Sequence, residues 1–191
     1  HPGTQALCAA LMAAGHQALF VGGCVRNDLL SAPVADIDIA TDARPKNVTN
    51  IAETAGFRVI PTGFDHGTVT VLAQGVAHEV TTFRRDVETD GRHAVVAYST
   101  DLTEDAARRD FTMNALYATA DGVVIDPLGG LPDLQARRVR FVGDPAARIA
   151  EDYLRILRFF RFSAVYGDPA QGIDVEGLAA CAAHADAISG L

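Results

Sequence analysis

Hydrophobic and polar positions follow two different periods along this chain, and the changes between them mark the predicted elements. Apolar residues recur at helical spacing over residues 4–14, and Gly15 follows as a helix stop. Short apolar runs typical of strands alternate with such helical segments up to about residue 143. The pattern therefore predicts a mixed α/β (α+β) sheet domain, followed by a mainly helical element.

The predicted elements can be placed by residue number. Strands are expected at residues 18–21, 35–40, 68–73, 76–83, 116–120, 123–125 and 139–142. Helices are expected at residues 4–14, 25–30, 45–55, 103–114 with a bend near Asp110, and 145–165, with more helix in the Ala-rich stretch 167–191. The dipeptides at 74–75 and 121–122 are typical of hairpin turns. Residues 84–94 are polar and charged, and we expect a mobile loop there.

Composition argues against several classes of protein, among them strongly basic nucleic-acid binders, membrane-spanning proteins and disulfide-rich or zinc-binding domains. The chain has 191 residues and a net charge of −8, which argues against binding nucleic acid through bulk electrostatics. It has no apolar run of bilayer length, and its 3 cysteines are widely spaced without zinc-type or disulfide-type pairing, so we expect a reducing, cytoplasmic location without membrane contact. The first residue is not Met and no signal peptide pattern follows, so we expect this chain to begin inside a longer one.

Two aspartates one residue apart carry the clearest chemical signal. In Asp36-Ile37-Asp38-Ile39, strand alternation sends both carboxylates to one face, with Cα atoms about 6–7 Å apart. A Gly-Gly turn and Arg26 precede them, and glycine lets a phosphate approach the backbone closely. An edge strand with its acidic face in water is the plainer alternative. The combination favours a divalent metal site beside a phosphate group.

These residues belong to a series of motifs that together resemble a known family. Leu19-Phe20-Val21-Gly22-Gly23-Cys24-Val25-Arg26 with Asp36-Ile37-Asp38 resembles the first motif of class II tRNA nucleotidyltransferases, the CCA-adding enzymes, and their bacterial poly(A) polymerase relatives. Residues 108–115, 126–134 and 151–158 resemble the family's ribose-recognition, hinge-like and base-selecting motifs, in family order over residues 18–166. The resemblance implies a DNA polymerase beta-like catalytic head at residues 1–143 and the start of a helical neck at 144–191, with the chain stopping short of the family's full length.

The resemblance also implies partners and roles. The expected partners are the tRNA 3′ end, CTP, ATP and two Mg²⁺ ions. The expected catalytic metal ligands are Asp36 and Asp38. The residues expected to bind nucleotide are Gly22, Gly23, Arg26, Arg109, Asp110, Asp152, Arg155, Arg158 and Arg161.

Finer roles are expected for some of these residues. Asp110 is expected to accept a hydrogen bond from the ribose 2′-hydroxyl, with capping of the turn at Phe111 as its alternative role, and Arg158 is expected to approach the phosphates. Asn27 stands where the family usually has Asp, so it receives no catalytic role. Glu79 is left outside the site, because an ordinary surface carboxylate explains it at least as well.

Base selection can be argued from two of these residues. If Asp152 and Arg155 lie on one helix at i and i+3, a carboxylate acceptor and a guanidinium donor form one edge. Cytosine and adenine both present an amino donor beside a ring-nitrogen acceptor, which matches that edge. Guanine and uracil present the opposite order, so the edge would reject them.

Three alternatives to CCA addition remain open. A poly(A) polymerase usually carries a basic Gly-Arg-Arg-Phe-like segment, whereas residues 61–67 read Pro-Thr-Gly-Phe-Asp-His-Gly. A CC-adding relative typically lacks the loop that residues 84–93 supply, but an A-adding enzyme would keep it. Finally, this chain by itself could bind nucleotide without turnover.

Overall fold

A computed structural model describes residues 1–89 and 94–190 of the chain. The helices are α1 (Pro2–Ala13), α2 (Gly23–Leu29), α3 (Pro45–Thr54), α4 (Leu102–Ala107), α5 (Leu131–Gln135), α6 (Pro145–Glu151), α7 (Leu154–Tyr166) and α8 (Val175–Ala183). The strands are β1 (Leu19–Val21), β2 (Ile37–Thr41), β3 (Arg58–Ile60), β4 (Thr68–Ala73), β5 (Val76–Thr82), β6 (Arg84–Thr89), β7 (Ala94–Tyr98), β8 (Tyr117–Ala118) and β9 (Val124–Ile125). Short 3₁₀ turns lie at Phe64–His66, Thr112–Asn114 and Ala185–Gly190.

The main sheet is mixed, as the sequence predicts. Its strand order is β3-β4-β5-β2-β1-β8-β9, and β2 and β5 run parallel while the other neighbours run antiparallel. The register of the parallel pair places Asp38 opposite Glu79. The predicted hairpin at Gln74-Gly75 is confirmed, with φ of 50° and 84° at the two residues, as a two-residue turn with both φ positive requires. No helix in the described ranges is long and apolar enough to cross a membrane.

Two predicted elements around the β6–β7 ribbon differ in the structure. The mobile loop expected at 84–94 is wrong for its first part, because residues 84–89 form β6 and pair with β7 in a separate two-stranded sheet. The remaining part of that prediction, residues 90–93, lies outside the described residues. The helix expected at 103–114 ends at Ala107, and a 3₁₀ turn follows at Thr112–Asn114. The side chain of Asp110 explains the break, because it accepts a hydrogen bond from the N–H of Phe111 at 2.8 Å.

Two further corrections concern the chain after residue 138. The strand expected at 139–142 reduces to one bridge, in which Phe141 pairs with Phe111. The helix expected at 145–165 is broken into α6 and α7 at Asp152, whose backbone is extended, with φ −156° and ψ 105°. Asp152 Oδ1 accepts the N–H of Leu154 at 3.0 Å, and this local turn leads into the second helix in place of continuing the first.

One hydrophobic core joins the helical element to the sheet. Phe111 and Phe141 pack with Phe159 and Phe162 of α7, with ring centroids 5.1–6.2 Å apart. Phe111, Phe141 and Phe159 are at most 1% exposed. Burying rings of this size contributes about 1.5–3 kcal/mol each. The segment after residue 144 is therefore fastened to the sheet by a shared core.

Candidate active site

A glycine turn stands between β1 and α2, beside the aspartate strand. Gly22 has φ 69° and ψ −121°, a conformation that strains any residue with a Cβ. A Cβ built on Gly22 would also lie 3.4 Å from Nη1 of Arg109. The N–H of Gly22 is already used, because it donates to the carbonyl of Leu116 at 3.1 Å. The turn therefore lets a ligand approach the backbone closely next to Arg109. The Gly22 N–H itself is not free to bind that ligand, because it is bonded within the fold.

The two aspartates lie at the start of β2. Asp36 precedes the first strand residue, Ile37, and is exposed, whereas Asp38 is half-buried within the strand. Both line one small cavity of about 150 Å³, together with Gly23 and Arg26. The pKa of Asp38 is raised by burial, by Glu79 and by Asp36, while Arg109 opposes the shift. A cation bound here would relieve this repulsion, so the carboxylates fit a divalent metal with oxygen ligands.

Glu79 is an acidic neighbour that the sequence reasoning left outside the site. Its position opposite Asp38 follows from the parallel pairing of β2 with β5, which the sequence pattern does not encode. Its carboxylate is exposed and raises the pKa of Asp38. The described residues contain no group of three or more His, Cys, Asp or Glu already arranged to hold a metal ion. The structure thus places three carboxylates, those of Asp36, Asp38 and Glu79, near one another.

Arg109 is the arginine that faces the aspartates. Its Nη2 donates to Asp105 Oδ2 at 3.0 Å, and its Nε donates to the hydroxyl of Tyr117 at 3.1 Å. That hydroxyl donates in turn to Asp105 Oδ2 at 2.7 Å. Asp105 and Tyr117 are 2% and 0% exposed, and burial raises the pKa of the Tyr117 hydroxyl. The guanidinium is thus fixed in position by hydrogen bonds to two buried side chains, Asp105 and Tyr117. Neither residue has a role predicted from the sequence.

Asp110, the predicted ribose acceptor, is fully engaged in the structure. Its Oδ1 accepts from the Phe111 N–H at 2.8 Å and from Asn114 Nδ2 at 3.0 Å. Its Oδ2 accepts from Arg158 Nε at 2.8 Å and Nη2 at 2.5 Å. A ribose hydroxyl would have to replace one of these donors. Arg158, expected near the phosphates, is bound to Asp110 instead.

Arg26, the predicted phosphate ligand, is enclosed. It is 7% exposed, and burial lowers its pKa. Its Nε and Nη2 donate to Asn27 Oδ1 at 3.0 and 2.9 Å, its Nη1 donates to Asn114 Oδ1 at 2.5 Å, and its Nη2 also donates to the Tyr166 hydroxyl at 2.7 Å. Asn27 donates to the carbonyl of Pro33 at 2.8 Å, so this residue anchors Arg26 to the following loop. Arg26 borders the cavity, but its hydrogen bonds go to protein groups.

The predicted Asp152–Arg155 edge is not built on one helix. Asp152 lies in the break before α7, whereas Arg155 lies on α7. The Arg155 guanidinium donates to Glu151 Oε2 at 2.7 Å and to the carbonyls of Arg148 at 2.9 Å and Arg108 at 3.1 Å. The prediction that one helix carries both residues at i and i+3 is therefore wrong. A base-reading role for the two residues would depend on both lying near the start of α7, and not on a shared helical face.

Arg161 is placed differently from the other expected nucleotide ligands. It is exposed, and its guanidinium lies 5.8 Å from the ring centroid of Phe162. In the described part of the chain it forms no hydrogen bond or ion pair with another residue. The structure places Asp36 and Asp38 at one cavity, with Arg109 near enough to act on Asp38 through its charge, whereas Arg161 shows no contact, within the described ranges, with any of these three residues.

Comparison with known proteins places this site in a family context. A family model described as the Poly A polymerase head domain matches residues 18–140. The mitochondrial CCA tRNA nucleotidyltransferase 1 of Homo sapiens is 41% identical over 190 residues, which cover 99% of this chain and 44% of the human protein.

Two solved structures match the fold over most of this chain. The crystal structure of Bacillus stearothermophilus CCA-adding enzyme in complex with CTP has a TM-score of 0.80 and 38% identity, covering 94% of this chain and 42% of that one. A tRNA nucleotidyltransferase complexed with a primer tRNA and an incoming ATP analog has a TM-score of 0.72 and 28% identity, covering 92% and 48%. The chain therefore spans less than half the length of these relatives.

Proposed function

This chain belongs to the family of the Poly A polymerase head domain, and on that premise we propose that it is the catalytic part of a tRNA nucleotidyltransferase that adds CCA from CTP and ATP. The observation that carries the proposal is the pair Asp36 and Asp38 at one cavity beside the glycine turn, with the charge of Arg109, which adjoins Gly22, acting on Asp38. Paired carboxylates beside an arginine suit a metal-bound triphosphate. The names of the relatives, which include complexes with CTP, with a primer tRNA and with an ATP analog, support the choice of substrates.

The reaction follows from this arrangement. The tRNA 3′-hydroxyl attacks the α-phosphorus, a new P–O bond forms, and the bond to the β-phosphate breaks with release of pyrophosphate. Asp36 and Asp38, in the ionised state, would hold two Mg²⁺ ions, which when bound lower the pKa of the attacking hydroxyl and offset the charge of the pyrophosphate. Arg109 is aimed by Asp105 and Tyr117, and its guanidinium would contact the phosphates without needing to reorganise.

Base choice is assigned to the start of α7. Three of the five N–H donors of Arg155 are bound to Glu151 and to two carbonyls, so Nε and one Nη2 hydrogen remain for a ligand. The carboxylate of Asp152 supplies acceptors one turn away. A fixed donor beside an acceptor matches the edges of cytosine and adenine and opposes those of guanine and uracil. Arg158 and Arg161 remain candidates for holding the rest of the nucleotide.

The decisive test offers the full-length protein three RNAs with CTP and ATP supplied separately. The RNAs are tRNA without its terminal CCA, tRNA ending in CC, and an RNA unrelated to tRNA. We expect CMP to be added to the first and AMP to the second, with the unrelated RNA unchanged. AMP tailing of all three would indicate a poly(A) polymerase, and AMP addition confined to the second would indicate an A-adding enzyme. Binding of CTP without any transfer would indicate a nucleotide-binding module.

Two further assignments complete the proposal. Residues 1–143 act as the catalytic head and residues 144–191 begin the helical neck, although the two share a core through Phe111 and Phe159. A reducing location such as the cytoplasm is supported by Cys8, Cys24 and Cys181, which are buried as free thiols.

A further inference from the structure

Arg26 lies at the centre of a hydrogen-bonded ring that begins and ends on α7. Arg158 of α7 binds Asp110, Asp110 accepts from Asn114, and Asn114 accepts from Arg26. Arg26 then donates to the hydroxyl of Tyr166, which is the last residue of α7. The ring therefore ties α7 at two points, Arg158 in its second turn and Tyr166 at its C-terminal end, to the segment that follows the glycine turn.

Tyr166 closes this ring through two kinds of contact. Its hydroxyl accepts from Arg26 Nη2 at 2.7 Å, and its ring centroid lies 4.1 Å from Cζ of Arg26. A hydrogen bond from a charged donor contributes more than a neutral one, and a cation over an aromatic ring adds to it. Because Arg26 is 7% exposed, water does not readily replace the hydroxyl if that group is lost. The contact is therefore one on which the orientation of α7 depends.

The two regions joined by this ring have separate tasks in nucleotide binding. Arg26 follows the Gly22-Gly23 turn by three residues, and that turn adjoins Arg109 and the aspartates. On the other side, α7 carries Arg155 near its first turn. The phenylalanine core holds α7 against the sheet, and the contact of α7 with Arg26 adds a direct link between the base-reading helix and the phosphate-binding region.

We propose that Tyr166 is a positioning residue for nucleotide selection, which fixes the base-reading helix relative to the glycine turn through Arg26. This inference rests on the proposed function. A base is discriminated only when its edge meets a fixed partner while the phosphates are held, so a looser α7 accepts the wrong base more readily. Tyr166 does not touch the nucleotide itself; it acts through Arg26.

The test compares Tyr166→Phe with Ser163→Ala in the full-length protein. Tyr166→Phe keeps the aromatic ring and removes only the hydroxyl that accepts from Arg26. Ser163→Ala removes from the same helix a buried hydroxyl that has no hydrogen-bond partner among the described residues. The readout is the ratio of kcat/KM for CTP to that for UTP. We expect the ratio to fall about tenfold in Tyr166→Phe, the size of one charge-assisted hydrogen bond, and to stay at the wild-type value in Ser163→Ala.

The ratio separates positioning from simple loss of stability. A fold that is merely weakened lowers the active fraction for both nucleotides and leaves the ratio unchanged, so an unchanged ratio in Tyr166→Phe would overturn the inference. An equal fall in Ser163→Ala would overturn it as well, because it would show a general response of α7.

A second measurement needs no catalysis. Thermal unfolding of Arg26→Lys, Tyr166→Phe and the double variant should show a double-variant shift smaller than the sum of the single shifts, because the two residues share one contact. Strictly additive shifts would refute the coupling between them. A wild-type protein that transfers no nucleotide to tRNA would instead refute the proposed function, while a non-additive cycle would still support the contact.

Discussion

Asp105→Asn should weaken both the fold and nucleotide binding through a single buried carboxylate. Asp105 is 2% exposed and accepts from the Arg84 N–H at 3.0 Å, from Arg109 Nη2 at 3.0 Å and from the Tyr117 hydroxyl at 2.7 Å. The amide that replaces the carboxylate carries no charge, and its NH₂ group faces donors on at least one side. The substitution therefore leaves Arg109 without its anionic partner and at least one donor unsatisfied.

The size of the effect follows from these contacts. Breaking a buried ion pair by removing one charge costs about 3–5 kcal/mol. The Arg109 side chain is 23% exposed, so partial hydration places the cost at the lower end, about 3 kcal/mol. For a cooperatively unfolding unit of this size each kcal/mol lowers Tm by about 2–4 °C, which gives a fall of about 6–12 °C in the unfolding transition of this part of the full-length protein. A guanidinium that is no longer aimed should also raise KM for CTP and ATP about tenfold.

The assay combines thermal unfolding with nucleotide titration of the transfer reaction, both on the full-length protein. Asp121→Asn is the matched control, since Asp121 is exposed and bonds only to neighbouring Thr119 in the described residues. Its stability should stay within about 0.5 kcal/mol of wild type. Unfolding of Asp105→Asn at the wild-type temperature would contradict the stabilising role of the buried carboxylate. A fall in Tm with a constant KM for both nucleotides would contradict its role in aiming Arg109, because Asp105 would then stabilise only the fold.

Three other outcomes can be checked. Asp38→Asn should abolish transfer, while Asp152→Ala should keep transfer and admit UMP or GMP; equal losses in both would contradict the separate roles. His78 is fully buried with its pKa held below the ordinary 6.5 by burial, so its contribution to stability is complete above that pH. Thermal stability should therefore fall as pH drops below about 6.5, and His78→Gln should flatten that fall. Phe159→Ala should cost about 3–5 kcal/mol, measured by denaturant unfolding, against less than about 1 kcal/mol for the 43% exposed Phe160.

Local chemistry explains why much of the fold could be predicted. The strands at 68–73 and 76–82 and their turn at Gln74-Gly75 follow from apolar alternation and from a dipeptide that tolerates positive φ. The helix at Pro45–Thr54 follows from a proline suited to the first turn. In each case the determining residues are within about one turn of the element that they define. The family motifs were also visible, because each is a contiguous stretch.

What could not be predicted depends on strand register, on pairing between distant segments and on one local side-chain hydrogen bond. Glu79 lies beside Asp38 only because β2 pairs in parallel with β5. The break at Asp152 comes from its side chain, which accepts the N–H of Leu154 at the start of α7, a competition that helical periodicity does not reveal. Strand β6 forms because residues 84–89 pair with β7, although their composition is that of a loop. Tertiary pairing outweighed local preference at Glu79 and at β6, whereas a local side-chain hydrogen bond outweighed helical periodicity at Asp152.

The two arginines of the site differ in how much of their hydrogen-bonding capacity is left for a ligand. Arg26 lies ten residues before Asp36, and proximity assigned it to the phosphates, but its donors are committed to Asn27, Asn114 and Tyr166. Arg109 lies far along the chain, yet it adjoins Gly22 and lowers the pKa of Asp38. Arg26 is buried and has four of its five N–H donors bonded to protein groups, so it has little left to offer a ligand. Arg109 is partly exposed and, among the described residues, has two of its five donors free, so it can present its charge to a ligand. Arg26→Lys should accordingly impair base selection and stability, and Arg109→Lys should chiefly raise KM for the triphosphate. Titration of inorganic triphosphate against both variants decides between them, because a larger loss of binding in Arg26→Lys would restore Arg26 as the phosphate ligand.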